Sequence, residues 1–181
     1  MRVIAGIRKG LKLKAPDGMD TRPTTDRVKE SVFNILQPYI PAERVLDLFA
    51  GSGALGIEAL SRRCVHCTFV ERDRAAFSLV RNNVETAAFG DSASLVFSDS
   101  MAYLDKCSKP FDIIFLDPPY NKGLLHSVLD KISKNGLLKE DGIIVAETEK
   151  GGEEAEHSDF GTVRRAVYGK TVITVLKRGD L

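Results

Sequence analysis

The stretch VLDLFAGSGALG, residues 45–56, decides the fold, because it predicts a short apolar strand that leads through a glycine-rich turn into a helix. Apolar runs CTFVE, SLVF, FDIIFLD and GIIVAETE follow it, and helical patterns over 54–62, 74–88, 100–107 and 123–134 separate these strands. Such alternation indicates right-handed βαβ units and a parallel sheet covered on both faces. The run IIFL lacks alternation, which is typical of a central strand buried on both sides.

Both ends of the chain add to this sheet. The C-terminal TVRRAVYGKTVITVLKR predicts two strands joined at Tyr168-Gly169-Lys170, which could form an antiparallel edge. At the other end, RVIAGIRKGLKLKAP predicts a hairpin with turns at Gly6 and Gly10, and a helix begins near Thr24 and ends before Pro38. We therefore expect an α/β fold: a doubly wound, mostly parallel, Rossmann-like sheet with an antiparallel C-terminal edge, preceded by an N-terminal β-hairpin and helix.

Length and composition limit the class of protein. A chain of 181 residues is comfortable for one hydrophobic core and short for two, so we expect a single domain over residues 1–181, with the hairpin and helix in 1–40 and the sheet in 41–181. No apolar run approaches the ~18–20 residues of a membrane span, and charges interrupt the N-terminus too often for a signal peptide. Three cysteines, an odd number, do not suggest a disulfide framework. These features predict a cytoplasmic protein without a membrane partner.

Charge is unevenly distributed although the net charge is only +1. Residues 1–14 carry five Lys and Arg and no acid, residues 160–179 also carry five, and residues 140–159 hold eight acids and one base. A polyanion would respond to this distribution rather than to the net charge. The alternative is that these runs are ordinary solvated faces.

The glycine-rich turn is a literal G-x-G-x-x-G formed by Gly51, Gly53 and Gly56. Alone it fits a nicotinamide dehydrogenase as well as a methyltransferase. Asp47 helps to separate the two, because its carboxylate would repel the pyrophosphate of a dinucleotide and attract the ammonium and sulfonium of S-adenosylmethionine. The alternative is that the glycines only form a tight turn and Asp47 binds loop amides.

Acids also follow the next two strands. Glu71 lies twenty positions after Gly51, the interval at which an acid in this fold binds ribose hydroxyls. Asp99 could accept from the adenine amino group, or cap the following helix. The predicted cofactor-binding residues are Asp47, Phe49, Gly51, Gly53, Glu71, Arg72, Asp99 and Ser100.

The strand FDIIFL stops at the tetrapeptide Asp117-Pro118-Pro119-Tyr120, which we predict to be catalytic. The lone pair of an exocyclic amine on a base is delocalised into the ring, so this nitrogen is a poor nucleophile. The Asp117 carboxylate and the Pro118 carbonyl could accept from its N–H groups, orient the lone pair and stabilise the developing positive charge. Tyr120 offers a flat face on which an extruded base could stack.

Two segments carry a family resemblance. The pair DLFAGSGALGIEAL and DPPY resembles class I methyltransferases that act on exocyclic amines, and RVIAGIRKGLKLKAP with TRPTTDRVKESVFNIL resembles the bacterial RsmD-type 16S ribosomal RNA guanine-N2 methyltransferases. The resemblance implies S-adenosylmethionine-dependent methylation of N2 of one guanine. It places Asp47, Gly51 and Gly53 at the methionine end of the cofactor, Glu71 at the ribose, Asp99 at the adenine and 117–120 at the target base.

The resemblance also implies a ribosomal RNA partner, met within an assembling small ribosomal subunit, and we expect a monomer. Residues 1–40 would contact RNA and 41–181 would form the catalytic core. One departure is the acidic segment 149–160, which takes the place where many class I folds carry a helix. The cations that we expect to contact RNA phosphates are Arg8, Lys9, Lys12, Lys14, Arg22 and Arg27.

Parts of the sequence also fit other functions and a metal site. An amino methyltransferase for DNA adenine usually carries a target-recognition domain, and no such insertion is visible in this sequence. One for protein glutamine usually begins the tetrapeptide with Asn, whereas this tetrapeptide begins with Asp117. A nicotinamide dehydrogenase or an inactive cofactor-binding scaffold ranks last. Cys64, His66 and Cys67 invite a zinc or redox interpretation, but structural zinc needs four ligands and Cys107 is distant in sequence, so no metal is expected.

Overall fold

The computed structural model of the protein describes residues 1–15, 23–119 and 123–179. One seven-stranded sheet has the order β3-β2-β1-β4-β5-β7-β6. Strands β1 to β5 are parallel, and β7 is antiparallel to both β5 and β6, which confirms the predicted sheet and its C-terminal edge. The strands are β1 Arg44–Asp47, β2 His66–Glu71, β3 Ala93–Phe97, β4 Phe111–Leu116, β5 Leu138–Glu149, β6 Phe160–Tyr168 and β7 Thr171–Arg178.

Helices cover both faces of the sheet. They are α1 Pro23–Ile35, α2 Ala54–Ser61, α3 Arg74–Thr86, α4 Ser100–Lys106 and α5 Leu124–Lys134, with single 3-10 turns at Gln37–Tyr39 and Gly90–Ser92. Buried residues of α1, α2 and α3 belong to a first core, and those of α4 and α5 to a second core. No helix within 1–15, 23–119 and 123–179 is long and apolar enough to cross a membrane.

Strand β4 separates the two cores. Ile113 and Phe115 face the first core while Ile114 and Leu116 face the second, and all four are 0% exposed. Because successive side chains of a strand alternate between faces, a strand buried on both sides needs an uninterrupted apolar run. The prediction that IIFL forms the central strand is confirmed.

The acidic segment before β6 forms no helix and still covers the second core. Ala155 and Phe160 are buried there. Glu153 accepts hydrogen bonds from the backbone amides of Gly123 (3.0 Å) and His126 (2.8 Å) at the start of α5. A carboxylate stabilises amides that have no partner within their own helix. The departure at 149–160 is thus an acidic cap for a neighbouring helix.

The N-terminal segment differs from a regular hairpin. Its antiparallel pairing is a single bridge between Arg2 and Lys12, although Val3 and Leu13 are buried in the first core. Gly6 has φ +83, and a Cβ there would lie 1.9 Å from the Ser61 carbonyl oxygen. Contact with the end of α2 replaces a longer ladder between the two arms.

The carboxylate of Glu58 on α2 holds this segment in place. Glu58 is 0% exposed and accepts from the backbone amides of Ile4 (2.7 Å) and Ala5 (2.9 Å). Its carboxylate also pairs with Arg62 at 2.9 Å and with the buried Lys29 of α1 at 3.4 Å. One side chain therefore joins the N-terminal segment and α1 to the helix that follows the glycine-rich turn.

We predict that Glu58→Ala lowers the free energy of unfolding by about 3–5 kcal/mol, because it leaves the buried Lys29 without its ion-pair partner and two backbone amides without their acceptor. Urea unfolding measures the loss. Glu85→Ala, at an exposed position of α3, is the control and should stay within about 0.5 kcal/mol of wild type. A loss below about 1 kcal/mol for Glu58→Ala would contradict the role assigned to this carboxylate.

Candidate active site

A cleft of about 620 Å³ opens at the carboxyl ends of β1, β4 and β5. In a doubly wound sheet this edge is where ligands bind. Asp47, Asp117 and Glu147 lie on one wall, and α1 and the turn between β6 and β7 contribute Val32, Tyr168 and Lys170. The cleft therefore has one acidic wall and a second wall built by the N-terminal helix and the C-terminal strands.

The glycines of the motif have separate roles. Gly51 and Gly53 have φ +54 and +77, values that side-chain-bearing residues rarely adopt. A Cβ on Gly53 would lie 2.6 Å from Val80, and one on Gly56 would lie 2.3 Å from the Phe69 ring. The first two glycines therefore form the turn, and close packing of α2 on the sheet requires the third.

Asp47 sits beneath this turn and is 3% exposed. Its carboxylate accepts from the Gly56 amide at 3.1 Å, so the loop-amide role considered above is present. Burial raises the pKa of Asp47 to about 8. The hydrogen bond from Gly56 lowers this pKa, and the negative charges of Asp117 and Glu71 raise it further. A cationic ligand would favour the ionised form of this acid.

Glu71 also contacts the glycine-rich turn. One carboxylate oxygen accepts from the Gly51 amide at 2.9 Å, and the other accepts from the amides of Arg72 and Asp73 at 2.8 Å. Glu71 is half-buried, so it retains surface for a ligand. The structure thus brings the acid after β2 to the turn after β1, as the spacing of twenty residues suggests.

The residues after β3 lie further along the same sheet edge and do not line the cleft. Asp99 caps α4 by accepting from the amides of Met101 (2.9 Å) and Ala102 (3.3 Å). Arg72 lies 3.8 Å from the Asp99 carboxylate, and Ser100 is buried. Phe49 lines the cleft beside the turn. The capping role of Asp99 is observed, while adenine binding by Asp99 and Ser100 stays a prediction.

Asp117 projects from the end of β4 into the cleft. Asp117 is exposed at the cleft, and desolvation by the surrounding protein raises the pKa of its carboxyl to about 6. Within the described part of the chain, its carboxylate accepts no hydrogen bond. Pro118 is buried and Pro119 exposed. The predicted stacking residue Tyr120 lies outside the described residues.

Sequence reasoning missed Glu147. It stands at the end of β5 in the run GIIVAETE, where the signal was an acid following a buried strand that neighbours β4. Burial and the charge of Asp117 raise the pKa of Glu147 to about 8. The cleft therefore holds an acid from each of β1, β4 and β5.

The predicted RNA-contacting cations differ in accessibility. Arg8 is half-buried: its Nε donates to the Ala87 carbonyl at 2.7 Å and its guanidinium lies 5.6 Å from the centre of the Phe89 ring. This contact fixes the N-terminal segment against the end of α3. Arg22 lies outside the described residues. The exposed members of the set are Lys9, Lys12, Lys14 and Arg27.

Cys64 and Cys67 are core residues, 5% and 0% exposed. Burial raises the pKa of both thiols, which opposes the thiolate form that metal or redox chemistry needs. His66 pairs with Ser94. Among the residues for which coordinates are described, no group of three or more His, Cys, Asp and Glu could hold a metal ion.

Comparison with known proteins agrees with this geometry. The profile of the family described as Conserved hypothetical protein 95 matches residues 1–177. The chain belongs to this family. It is 46% identical over 182 residues to YlbH of Bacillus subtilis, covering 98% of this chain and 99% of that protein. It is 38% identical over 179 residues to Ribosomal RNA small subunit methyltransferase D of Escherichia coli K12, covering 98% and 90%.

A solved structure shows the same fold. The structure of yhhF from Escherichia coli superposes with a TM-score of 0.88 at 38% identity, covering 100% of this chain and 99% of that one. The matches span both the N-terminal segment and the sheet. The resemblance to RsmD-type methyltransferases, drawn above from motifs, is confirmed by these relatives.

Proposed function

We propose that this protein transfers a methyl group from S-adenosylmethionine to the exocyclic N2 of a guanine in small-subunit ribosomal RNA. The observation that carries the proposal is the Asp117 carboxylate, which follows a buried strand and opens into the same cleft as Asp47 and the glycine-rich turn. The name of the Escherichia coli relative supports the substrate class. We extend the proposal to a monomer that acts in the cytoplasm, without metal, on an assembling small subunit.

The charges of the cleft fit this cofactor. When bound, S-adenosylmethionine supplies a methyl group on a cationic sulfonium. Asp47 would attract its ammonium and sulfonium, and Glu71 beside Gly51 could accept from ribose hydroxyls. The pyrophosphate of a nicotinamide dinucleotide would meet the same acids at unfavourable cost. The cleft therefore favours a methyltransferase over a dehydrogenase.

Asp117 is suited to the chemistry at the base. Its carboxylate could accept from one N–H of the guanine amine, while the Pro118 carbonyl accepts from the other. This holds the amine with its lone pair directed at the incoming methyl carbon and stabilises the positive charge that develops on nitrogen. With a pKa of about 6, Asp117 is also able to take the proton that the methylated amine releases. Stacking on Tyr120 remains part of the proposal.

Lys14 is positioned to bind phosphates near this cleft, whereas Arg8 contacts the far ends of α2 and α3. Asn83 accepts from the Lys14 amide at 2.9 Å, and its side-chain amide donates to the carbonyls of Lys14 (3.0 Å) and Ser52 (2.8 Å). Lys14 is therefore fixed relative to the glycine-rich turn. Because Val3 and Leu13 are buried, deletion of residues 1–14 would damage the core, and charge neutralisation is the cleaner test.

We predict that Asp117→Asn lowers kcat by roughly 10²–10³-fold with little change in cofactor affinity, because the carboxylate acts mainly in the transition state. Labelled cofactor and small-subunit rRNA are incubated with the protein, and mass spectrometry identifies the product as N2-methylguanosine. Asp141→Asn, exposed in β5, is the matched control. Near-normal turnover by Asp117→Asn would overturn the mechanism, and a different product nucleoside would overturn the substrate.

Cofactor binding should release protons. Burial raises the pKa of Asp47 to about 8, so below this value the acid is protonated in the free protein. A cationic ligand favours ionisation, so affinity should rise from about pH 6 to about pH 8. Calorimetry in buffers of different ionisation enthalpy counts the protons.

Asp47→Asn serves as the control for this measurement. It should bind cofactor more weakly and release fewer protons, because one titrating acid is gone. The amino group of the ligand titrates equally with both proteins, so the difference between them reports on Asp47 alone. Equal proton release by the two proteins would contradict the placement of the cationic ligand beside Asp47.

Neutralising Lys9, Lys12 and Lys14 to Gln should weaken RNA binding across sequences and leave cofactor affinity unchanged. Each lost phosphate contact should flatten the slope of log K against log salt by about 0.7–0.9. Fluorescence anisotropy at several salt concentrations measures both quantities. The control replaces Lys106, Lys109 and Lys134, exposed cations on or next to the helices that cover the other face of the sheet. An unchanged slope in the first variant would show that those three lysines are a solvated face.

A further inference from the structure

Asp117 and Glu147 stand side by side at the ends of adjacent strands. Strands β4 and β5 pair in parallel, with Phe115 beside Val145 and Leu116 beside Ala146. Continuing this register by one residue places Asp117 beside Glu147. Parallel neighbours in register point to the same face of a sheet, with strands about 4.8 Å apart. Both side chains line the cleft, which confirms that they share a face.

Glu147 is an unusual acid for a structural position. It is half-buried on the first-core face of β5, two residues after the buried Val145. No hydrogen bond or ion pair to its carboxylate occurs among residues 1–15, 23–119 and 123–179, and the charge nearest to it is that of Asp117. A half-buried acid placed beside another acid costs folding free energy, which indicates that a ligand uses it.

We propose that Glu147 selects the target base by accepting a hydrogen bond from the N1–H of guanine while Asp117 holds the neighbouring N2 amine. This inference rests on the proposed function and names a specificity residue for it. Glu147 contacts the substrate base, but not the nitrogen that is methylated. It therefore acts on which base is accepted rather than on the methyl transfer itself.

The edge of the base explains why two acids suit guanine. Guanine presents a ring N1–H donor beside its exocyclic amine, so adjacent carboxylates find adjacent donors. Adenine presents its amine beside a ring nitrogen that is an acceptor, and the ionised Glu147 carboxylate, the form above about pH 8, would face it without a proton between them. Extruded bases are read by hydrogen bonds to this edge, and an unmatched polar pair in a closed site is strongly rejected.

A base analogue isolates the proposed contact. The nucleoside of 2,6-diaminopurine keeps the 2-amino group but carries an acceptor at N1 in place of the N1–H donor. Wild-type protein and Glu147→Gln are compared above about pH 8, where Glu147 is ionised, on small-subunit rRNA that carries either guanosine or this analogue at the methylated position. Gln is of similar size and can present its amide N–H group to an N1 acceptor.

Wild type should prefer guanine by roughly ten- to hundred-fold in kcat/KM, and Glu147→Gln should reduce this ratio by about tenfold. The analogue also differs at position 6, but that difference is common to both proteins and cancels when the two ratios are compared. Glu149→Gln, exposed two residues further along β5, is the matched control and should keep the wild-type ratio.

Equal loss on both bases, together with weaker cofactor binding in calorimetry, would overturn the inference and assign Glu147 to the cationic cofactor. An unchanged ratio with unchanged cofactor affinity would overturn it as well. Failure of the proposed function is distinguishable from both results, because wild type would then produce no N2-methylguanosine from unmodified rRNA.

Discussion

The buried carboxylate of Glu58 is the interaction on which the arrangement of the site depends. It satisfies the amides of Ile4 and Ala5 and the side chains of Lys29 and Arg62 from one point on α2. Since α2 begins at the glycine-rich turn, this contact fixes the N-terminal segment and α1 relative to the cofactor cleft. A buried ion pair contributes little when apolar packing could replace it, but this one favours a single geometry, since two backbone amides and two cationic side chains converge on one carboxylate.

The cleft shows the opposite use of acids. Asp47, Asp117 and Glu147 have few or no donors near them in the described chain, and burial raises the pKa of each. Because folding raises these values, the folded protein without ligand loses stability as the pH rises through them. These acids therefore lower the folding stability of the ligand-free protein. A cationic ligand and the hydrogen-bond donors of a nucleic-acid base would offset this loss. The carboxylate of Glu58 pairs with Lys29 and Arg62 within the fold. In the described chain the three cleft acids have no such cationic partner.

Much of the fold followed from local patterns. The pattern of apolar and polar residues shows directly which faces of an element are buried. It predicted the strands, the helices, the antiparallel C-terminal edge and, through an uninterrupted apolar run, the central position of IIFL. The acids Asp47, Glu71 and Asp117 were found for a related reason. Each directly follows or ends a strand, and the ends of parallel strands converge at one edge. The N-terminal hairpin was predicted from its turns, but its contacts with α2 appear in no local pattern.

Local patterns were enough to predict the elements, their order and the acids at the ends of β1, β2 and β4, because these depend on neighbours within a few positions along the chain. The roles of Glu58, Asn83 and Glu147 emerge only once the chain is folded. Glu58 and Asn83 look like ordinary polar positions of helices, yet their partners lie more than fifty residues away in Ile4 and Lys14. The role proposed for Glu147 follows from the register of β4 and β5, which places it beside Asp117. Such pairings depend on how strands and helices pack, and packing is a property of the whole chain rather than of any segment.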